Sequence, residues 1–180
     1  MNDRANEFIR RLHACPPGRP GWREFEDICA EIITFLFVPP LPEPYRQPRT
    51  ESGNDRRDFV LSNRQANAAN NWGQLLYDHN ARLIPIEFKN YDVEEIGKDE
   101  TYQARNYLKD HIGDLAILCC NKEPSQSALQ ARRSIFGGEH KLVLFITTAD
   151  LEEMLRMKER GEDPSDLLID LRDRFVLRFD

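Results

Sequence analysis

The sequence predicts an α/β protein in which a mixed β-sheet is flanked by helices. Two unbroken apolar runs, at 114–120 and 141–148, are typical of strands that are covered on both faces. Between Trp22 and Phe37 the apolar residues recur at helical spacing, which predicts a long helix. With 180 residues, of which 40% are hydrophobic and 31% charged, the chain has the composition of one globular domain.

The first part of the chain is interrupted by prolines at positions 16, 17 and 20. We therefore expect residues 1–21 to form a loosely ordered N-terminal arm that contains one short helix at 2–13. Residues 22–180 are expected to form a single domain.

The remaining elements follow from local patterns. Pro39 and Pro40 end the helix that begins at Trp22. We then expect an extended segment at 38–55, a strand at 58–61, a short helix within 62–80, a strand at 82–91, a helix at 95–111, a strand at 114–120, a helix at 125–136, a strand at 141–148, a helix at 151–160 capped by Asp150, and a last helix or strand at 166–179.

Several protein classes are excluded by the sequence. No run approaches the ~18 apolar residues of a membrane span, and the first twenty residues lack the apolar stretch of a signal peptide, so we expect no membrane association and a cytoplasmic location. The four cysteines show no zinc-like spacing and are expected to be buried thiols. No phosphate-binding loop of the ATPase type is present.

The charge of the chain is unevenly distributed. The net charge is -6, with 25 basic and 31 acidic residues, so the whole chain does not have the charge of a typical nucleic-acid-binding protein. Residues 150–180 are strongly acidic, whereas 46–57 contains four arginines and two acids. Arginine supplies most of the basic residues, which suits bidentate phosphate contacts, although a solvated surface explains scattered arginines equally well.

The residues with the clearest chemistry are Asp58, Glu87 and Lys89. Glu87 and Lys89 are two residues apart in a predicted strand and therefore share one side of it. If this strand pairs with the preceding one, which Asp58 opens, the two carboxylates approach each other and need a cation between them. Oxygen ligands without Cys or His favour Mg²⁺ or Mn²⁺. A lysine beside such an ion can orient water and stabilise charge on a phosphate.

Each of these assignments has an alternative. The same acid-x-Lys spacing occurs at Glu139 and Lys141, but there it follows two glycines and no strand opening with Asp precedes it. Glu87 and Lys89 could instead form an ion pair on a solvated face. Asp55 could replace Asp58, although it precedes the apolar segment and is typical of a turn.

With two further motifs, the sequence resembles the PD-(D/E)XK nuclease superfamily, in particular its Mrr-like and resolvase-like members. The motifs occur in the expected order over residues 22–148: Phe25-Glu26 in the first helix, Arg56-Arg57-Asp58-Phe59-Val60, Ile86-Glu87-Phe88-Lys89, and Gln103-x-x-x-Tyr107 in the following helix. The resemblance implies a restriction-endonuclease-like fold with an αβββαβ core, here with a C-terminal helical extension.

The resemblance also implies roles for these residues. Asp58, Glu87 and Glu26 would hold Mg²⁺ or Mn²⁺, and Lys89 would act on the attacking water. Gln103 and Tyr107 would border the site and contact DNA, with core packing an equal alternative for Tyr107.

The assignments of Glu26, Arg56 and Arg57 rest on their positions along the predicted elements. Glu26 is preferred to Glu31 because it lies at the margin of the apolar helix stripe, although a surface glutamate has the same pattern. Of Arg56 and Arg57, at most one would face phosphate.

The expected function is metal-dependent hydrolysis of DNA, in restriction, phage defence or repair. The alternative is a catalytically silent nuclease-like module that binds DNA or scaffolds partners, and a third hypothesis is an RNA nuclease. Since the net charge is -6, we expect productive DNA binding to need a homodimer or a separate DNA-binding or motor subunit.

Two features depart from the family pattern. The connection from Leu61 to Arg82 is long, which predicts an insertion anchored by Trp72 in the hydrophobic core rather than a base-stacking tryptophan. Pro85 lies in what should be a central strand, so we expect a bulge or a sheet edge there.

Overall fold

The structure, a computed structural model, describes residues 3–47, 58–65 and 69–179. Its elements are α1 (Asp3–Ala14), a 3₁₀ turn (Arg19–Gly21), α2 (Trp22–Phe37), β1 (Tyr45–Arg46), β2 (Phe59–Ser62), α3 (Asn71–His79), β3 (Leu83–Lys89), α4 (Lys98–Asn106), β4 (Leu115–Cys120), α5 (Gln126–Glu139), β5 (Leu142–Thr147), α6 (Thr148–Glu159) and α7 (Ser165–Leu177).

The five strands form one mixed sheet in the order β1-β2-β3-β4-β5, which confirms the predicted α/β class. β2 pairs antiparallel with both β1 and β3, and β3, β4 and β5 run parallel. The carboxyl ends of the three parallel strands therefore lie at one edge of the sheet. Lys89 is in register with Cys120, which is in register with Thr147.

Helices cover the two faces of the sheet with separate apolar clusters. One cluster joins α1, α2 and α6 to residues such as Ile86 and Ile117 of the strands. The other joins α4 and α5 to Leu118 and Cys120. Since side chains alternate along a strand, the residues in register with Leu118 and Cys120 share the α4–α5 face. Those residues of β3 are Glu87 and Lys89, so the fold turns both polar side chains toward α4.

The N-terminal segment is packed against the domain, so the expectation of a loosely ordered arm is wrong. α1 is amphipathic and buries Ala5, Phe8 and Leu12 in the same cluster as α2. The proline-containing loop after α1 is held by Asn90, the residue after β3, whose Nδ2 donates to the carbonyl oxygens of Pro16 (2.9 Å) and Gly18 (3.4 Å). These are tertiary contacts, which a local proline pattern does not reveal.

Gly18 is required where this loop crosses the end of β3. Its backbone has φ 75° and ψ -156°, a region that is essentially limited to glycine, and a Cβ atom there would lie 2.9 Å from the Cβ of Asp92. We expect Gly18→Ala to lower the free energy of unfolding by about 1–3 kcal/mol, measured by urea denaturation. Gly138→Ala is the control, because Gly138 lies in α5 with open space around its Cβ position. Gly138→Ala should raise the free energy of unfolding by about 0.5–1 kcal/mol. Equal effects of the two variants would contradict the requirement for glycine at position 18 of this loop.

Pro85 lies inside a central strand without a bulge or an edge, contrary to expectation. The antiparallel register runs without interruption through the pair Val60–Pro85, and β3 is paired on both sides. Pairing with β4 begins at Ile86, one residue after the proline. The missing N–H therefore falls at the start of the parallel ladder, where it costs little.

Two other elements differ in detail from the sequence-based expectation, and the structure decides between the two alternatives given for the last element. α4 is shorter than 95–111, because the chain turns after Asn106 and buries Tyr107 and Leu108. The N-cap of α6 is Thr147, and Asp150 is the N3 partner of a capping box rather than the cap itself. The last element is a helix, α7.

The insertion between β2 and β3 is anchored as predicted, because Trp72 of α3 is 1% exposed and its ring packs edge-on against Phe37 with centroids 5.0 Å apart. In the described part of the chain, no helix has the length and apolar character needed to cross a membrane.

Candidate active site

Glu87 is the centre of a buried polar cluster on the α4 side of β3. It is 4% exposed, and its two carboxylate oxygens accept three hydrogen bonds from side chains. Oε1 accepts from Lys89 Nζ and from Gln103 Nε2, both at 2.8 Å, and Oε2 accepts from the Tyr107 hydroxyl at 3.0 Å. A buried carboxylate needs such partners, because an unpaired charge in the interior is costly.

The pairing of Lys89 with Glu87 does not lie on a solvated face. The side chains are 15% and 5% exposed. Burying both charges costs desolvation free energy, and the attraction within the ion pair at best offsets that cost. The burial of this pair is therefore weak evidence that its role is to stabilise the fold. The second acid-x-Lys copy has a different environment. Glu139 ends α5 and accepts three hydrogen bonds from Arg105, while Lys141 Nζ lies 3.5 Å from its carboxylate.

Tyr107 and Gln103 reach this cluster from α4 and the turn that follows it. They are four residues apart, and Gln103 Nε2 also lies 3.3 Å from the Tyr107 hydroxyl. Burial and the negative charge of Glu87 raise the pKa of Tyr107 well above its ordinary value, and the charge of Asp58 adds to this effect. Tyr107 therefore remains a neutral hydrogen-bond donor to Glu87 at any physiological pH. Tyr107 is therefore buried and also borders the Glu87 cluster, whereas its expected contact with DNA stays a prediction.

Asp58 lies at the start of β2, next to the Glu87–Lys89 motif. The β2–β3 pairing confirms that the two strands are neighbours, and continuing the register by one residue places Asp58 opposite Glu87. The Asp58 carboxylate accepts from the backbone N–H of Phe88 at 3.2 Å. Asp58 is thus held against the backbone of Phe88, the residue between Glu87 and Lys89.

Asp58 also lines a cavity of about 290 Å³ at the junction of α2, β1 and the β2–β3 pair. Glu26 and Asp27 of α2 contribute two more carboxylates to this cavity, and Gln47 donates to Glu26 Oε1 at 2.8 Å. Glu31, the other candidate on α2, instead forms a two-point ion pair with Arg11 of α1. The hydrogen bonds from Arg11 hold the pKa of Glu31 below its ordinary value.

The cavity continues along the first turn of α2. A neighbouring cavity of about 280 Å³ shares Glu26, Asp27 and Gln47 with it and extends to Trp22 and Arg23. Trp22 is 42% exposed, with the Arg23 guanidinium 5.0 Å from its ring centre. The sequence analysis placed Trp22 in the apolar stripe of the helix. That placement is wrong, because Trp22 is the first residue of α2 and does not share the burial of the later turns, which begins at Phe25.

The donors present suit a hard divalent cation. Asp58 and Glu87 offer carboxylate oxygens, which Mg²⁺ and Mn²⁺ prefer. A carboxylate has about four acceptor positions, and the three hydrogen bonds to Glu87 leave one of them, on Oε2. Among the residues that the structure describes, no group of three or more His, Cys, Asp or Glu side chains is placed to hold a metal ion. The donors therefore fit an ion held by one or two carboxylates and completed by water and substrate phosphate, the usual pattern for Mg²⁺.

No protein-family model matches this chain, and no curated protein or solved structure does either.

The structure brings together most of the residues that the sequence analysis selected. Glu87, Lys89, Gln103 and Tyr107 form one hydrogen-bonded cluster, and Asp58 connects it to the cavity that Glu26 lines. Arg56 and Arg57, and the alternative ligand Asp55, lie outside the described residues. Sequence reasoning did not single out Asp27 or Arg23, which line these cavities. Arg23 directly follows Trp22 and Asp27 lies two residues after Phe25, and neither belongs to a motif that would have identified it.

Proposed function

We propose that this protein is a divalent-metal-dependent nuclease of the PD-(D/E)XK superfamily, with a restriction-endonuclease-like fold, that hydrolyses phosphodiester bonds in DNA. The observation that carries the proposal is the buried Glu87–Lys89 pair in the central strand, with Asp58 opposite it on the neighbouring antiparallel strand. A structural ion pair needs only two of these charges, whereas metal-assisted hydrolysis uses all three. A setting in restriction, phage defence or repair follows from the sequence resemblance alone.

Each residue has a definite task in this proposal. Asp58 and Glu87 would hold Mg²⁺ or Mn²⁺, which supplies Lewis-acid polarisation of a phosphoryl oxygen. Lys89 would release Glu87, donate to the attacking water, and stabilise the charge that develops on the phosphate. Gln103 and Tyr107 keep the Glu87 carboxylate in place from the helix side. Glu26 would bind through water, because it lines the cavity beside Asp58.

The surface near the cavity suits a nucleic-acid strand. Trp22 and Tyr45 are 42% and 50% exposed, and Arg23 and Arg46 lie beside them in the sequence. Arg46 lines the Asp58 cavity, and Arg23 lines its continuation. Exposed aromatic rings stack on bases, at about 1–3 kcal/mol per base, while arginines contact the backbone phosphates.

The experiment for this proposal is a cleavage assay with the full chain. Supercoiled and linear DNA, and RNA of the same sequence, would be incubated with Mg²⁺, with Mn²⁺ and with EDTA. We expect nicking or cutting of DNA with either ion and none with EDTA. A preparation of Lys89→Ala, purified in parallel, controls for contaminating nuclease. DNA binding without cleavage under all conditions would support the silent module instead.

We also expect the isolated monomer to bind duplex DNA weakly. With a net charge of -6, the chain has little general attraction for a polyanion, so productive binding should need a homodimer or a separate DNA-binding or motor subunit. Light scattering measures the oligomeric state, and the affinity for duplex DNA is measured at about 50 and 200 mM salt. Arg56→Glu/Arg57→Glu is the charge-reversal variant. A strict monomer that binds duplex tightly at the higher salt and ignores the reversal would contradict the prediction.

A further inference from the structure

A second cavity lies apart from the candidate active site. Its volume is about 630 Å³, and it is bounded by α5, by the junction of β5 with α6, and by α7. None of the described residues that line it also lines the Asp58 cavity. The cavity opens at the same edge of the sheet as the candidate active site. Thr147 lines the cavity and lies in the same cross-strand row as Lys89, two strands away. Two strand spacings are about 10 Å.

The walls of this cavity carry an excess of positive charge. Four arginines line it, two from α5 and two from the end of the chain: Arg132, Arg133, Arg174 and Arg178. The acids that line it are Glu123 and Asp150, and the Asp150 carboxylate already accepts from the backbone N–H and the hydroxyl of Thr147, both at 2.8 Å.

These arginines differ from other arginines of the protein. Arg11, Arg105, Arg160 and Arg172 are each ion-paired with a carboxylate. In the described ranges, none of the four arginines of the cavity is paired in this way. The last 31 residues are acidic as a set, yet their arginines at 174 and 178 line this cavity, so the fold separates charges that the sequence intermixes.

Arg132 packs against two aromatic rings in this wall. Its guanidinium lies 4.9 Å from the ring centre of Phe145 and 4.4 Å from that of Phe175. Its Nε is buried and has no hydrogen-bond partner among the described residues. Burial, with a smaller contribution from the charge of Arg133, lowers the pKa of Arg132 to about 10. An anion bound in the cavity would stabilise the charged form of Arg132 against the unfavourable effect of burial. The guanidinium that would bind this anion is already oriented.

We propose that this cavity is a second site, one that binds a phosphate monoester carried on a nucleotide. The volume falls within the ~300–1,000 Å³ range of small-ligand sites, and guanidinium groups bind phosphate in a bidentate manner. Gln126 and Gln130 supply amide groups, and Leu129 supplies an apolar surface, for the rest of the ligand. The phosphate belongs either to a free nucleotide or to the 5′ end of a DNA strand. The proposal does not depend on the nuclease function.

Calorimetric titration of the full chain in EDTA tests the site without metal or cleavage. The probes are dTMP, thymidine, and a short single-stranded oligonucleotide with and without a 5′ phosphate. We expect dTMP or the phosphorylated oligonucleotide to bind, and thymidine and the unphosphorylated strand to bind at least about tenfold more weakly. Binding of dTMP identifies a free nucleotide as sufficient, and binding of the phosphorylated strand alone identifies the strand end.

Arg133→Glu/Arg174→Glu is the test variant, since both side chains are exposed. Arg133 also donates to the carbonyl oxygen of Arg178 at 2.6 Å, so the fold of the variant is checked as well. We expect it to weaken phosphate-dependent binding about tenfold or more, because two cations are replaced by anions. Arg10→Glu/Arg19→Glu, on the exposed surface of the N-terminal segment, makes the same change in net charge and is the control. Thermal melting of both variants confirms folding. The proposal is overturned if no phosphorylated probe binds at about 1 mM, if the phosphate makes no difference, or if both variants weaken binding equally.

Discussion

Replacing Lys89 with alanine is expected to lower the single-turnover rate of DNA cleavage by about 10²–10⁴-fold, the usual loss when a catalytic acid–base or electrostatic group is removed. The reason is that the Lys89 ammonium group is the cation nearest to the Glu87 carboxylate, at 2.8 Å. The substitution should leave divalent-metal binding intact, since Lys89 is not a ligand and its charge competes with the metal for Glu87. The measurement is the cleavage rate at saturating Mg²⁺.

Two further variants separate catalysis from packing. Lys89→Met keeps most of the aliphatic stem without the charge, and it should be as inactive as Lys89→Ala. Lys141→Ala is the matched control, because Lys141 follows an acid at the same spacing and lies 3.5 Å from it. It should cleave at the wild-type rate. Recovery of activity in Lys89→Met, or equal loss in Lys141→Ala, would show that the lysine is not needed for the chemistry.

Replacing Asp58 with alanine is expected to abolish cleavage and to weaken metal binding together. Asp58 and Glu87 are the carboxylates that the β2–β3 register places opposite each other. One carboxylate binds Mg²⁺ poorly without its partner, so activity should not return at high Mg²⁺. The measurement is the cleavage rate as a function of Mg²⁺ and Mn²⁺ concentration.

Asp58→Asn distinguishes a metal ligand from a structural residue. An asparagine oxygen can still accept from the Phe88 N–H, which Asp58 binds at 3.2 Å. The melting temperature of the metal-free variant should therefore be unchanged or raised, while Mn²⁺ should stabilise it less than the wild type. A loss of more than ~2 kcal/mol in the metal-free protein would instead favour a structural ion pair.

The sequence was sufficient for elements whose signal is local. α2 has the predicted bounds, Trp22–Phe37, because its apolar periodicity and the two following prolines define both ends. β4 and β5 match their apolar runs to within one residue. The pairing of the Asp58 strand with the Glu87 strand was also predictable, since consecutive strands are usually neighbours.

What the sequence could not provide depends on contacts between distant segments. The loop around Gly18 is ordered by Asn90, 72 residues away in the chain. Trp22 fits a helical stripe by spacing, but it is the first residue of α2 and is exposed. The arginine-lined cavity requires α7 to pack beside α5, where Phe136 and Phe175 meet with ring centres 5.2 Å apart.

The most direct measurement is a calorimetric titration of the metal-free protein with Mn²⁺, performed on the wild type, Asp58→Ala, Glu87→Gln and Lys89→Ala. If Asp58 and Glu87 hold the catalytic ion, the wild type and Lys89→Ala bind Mn²⁺ with similar or, for Lys89→Ala, higher affinity, and the two carboxylate variants bind it at least about tenfold more weakly. Equal affinity in the wild type and Asp58→Ala would contradict the assignment of this site as a metal-dependent nuclease centre.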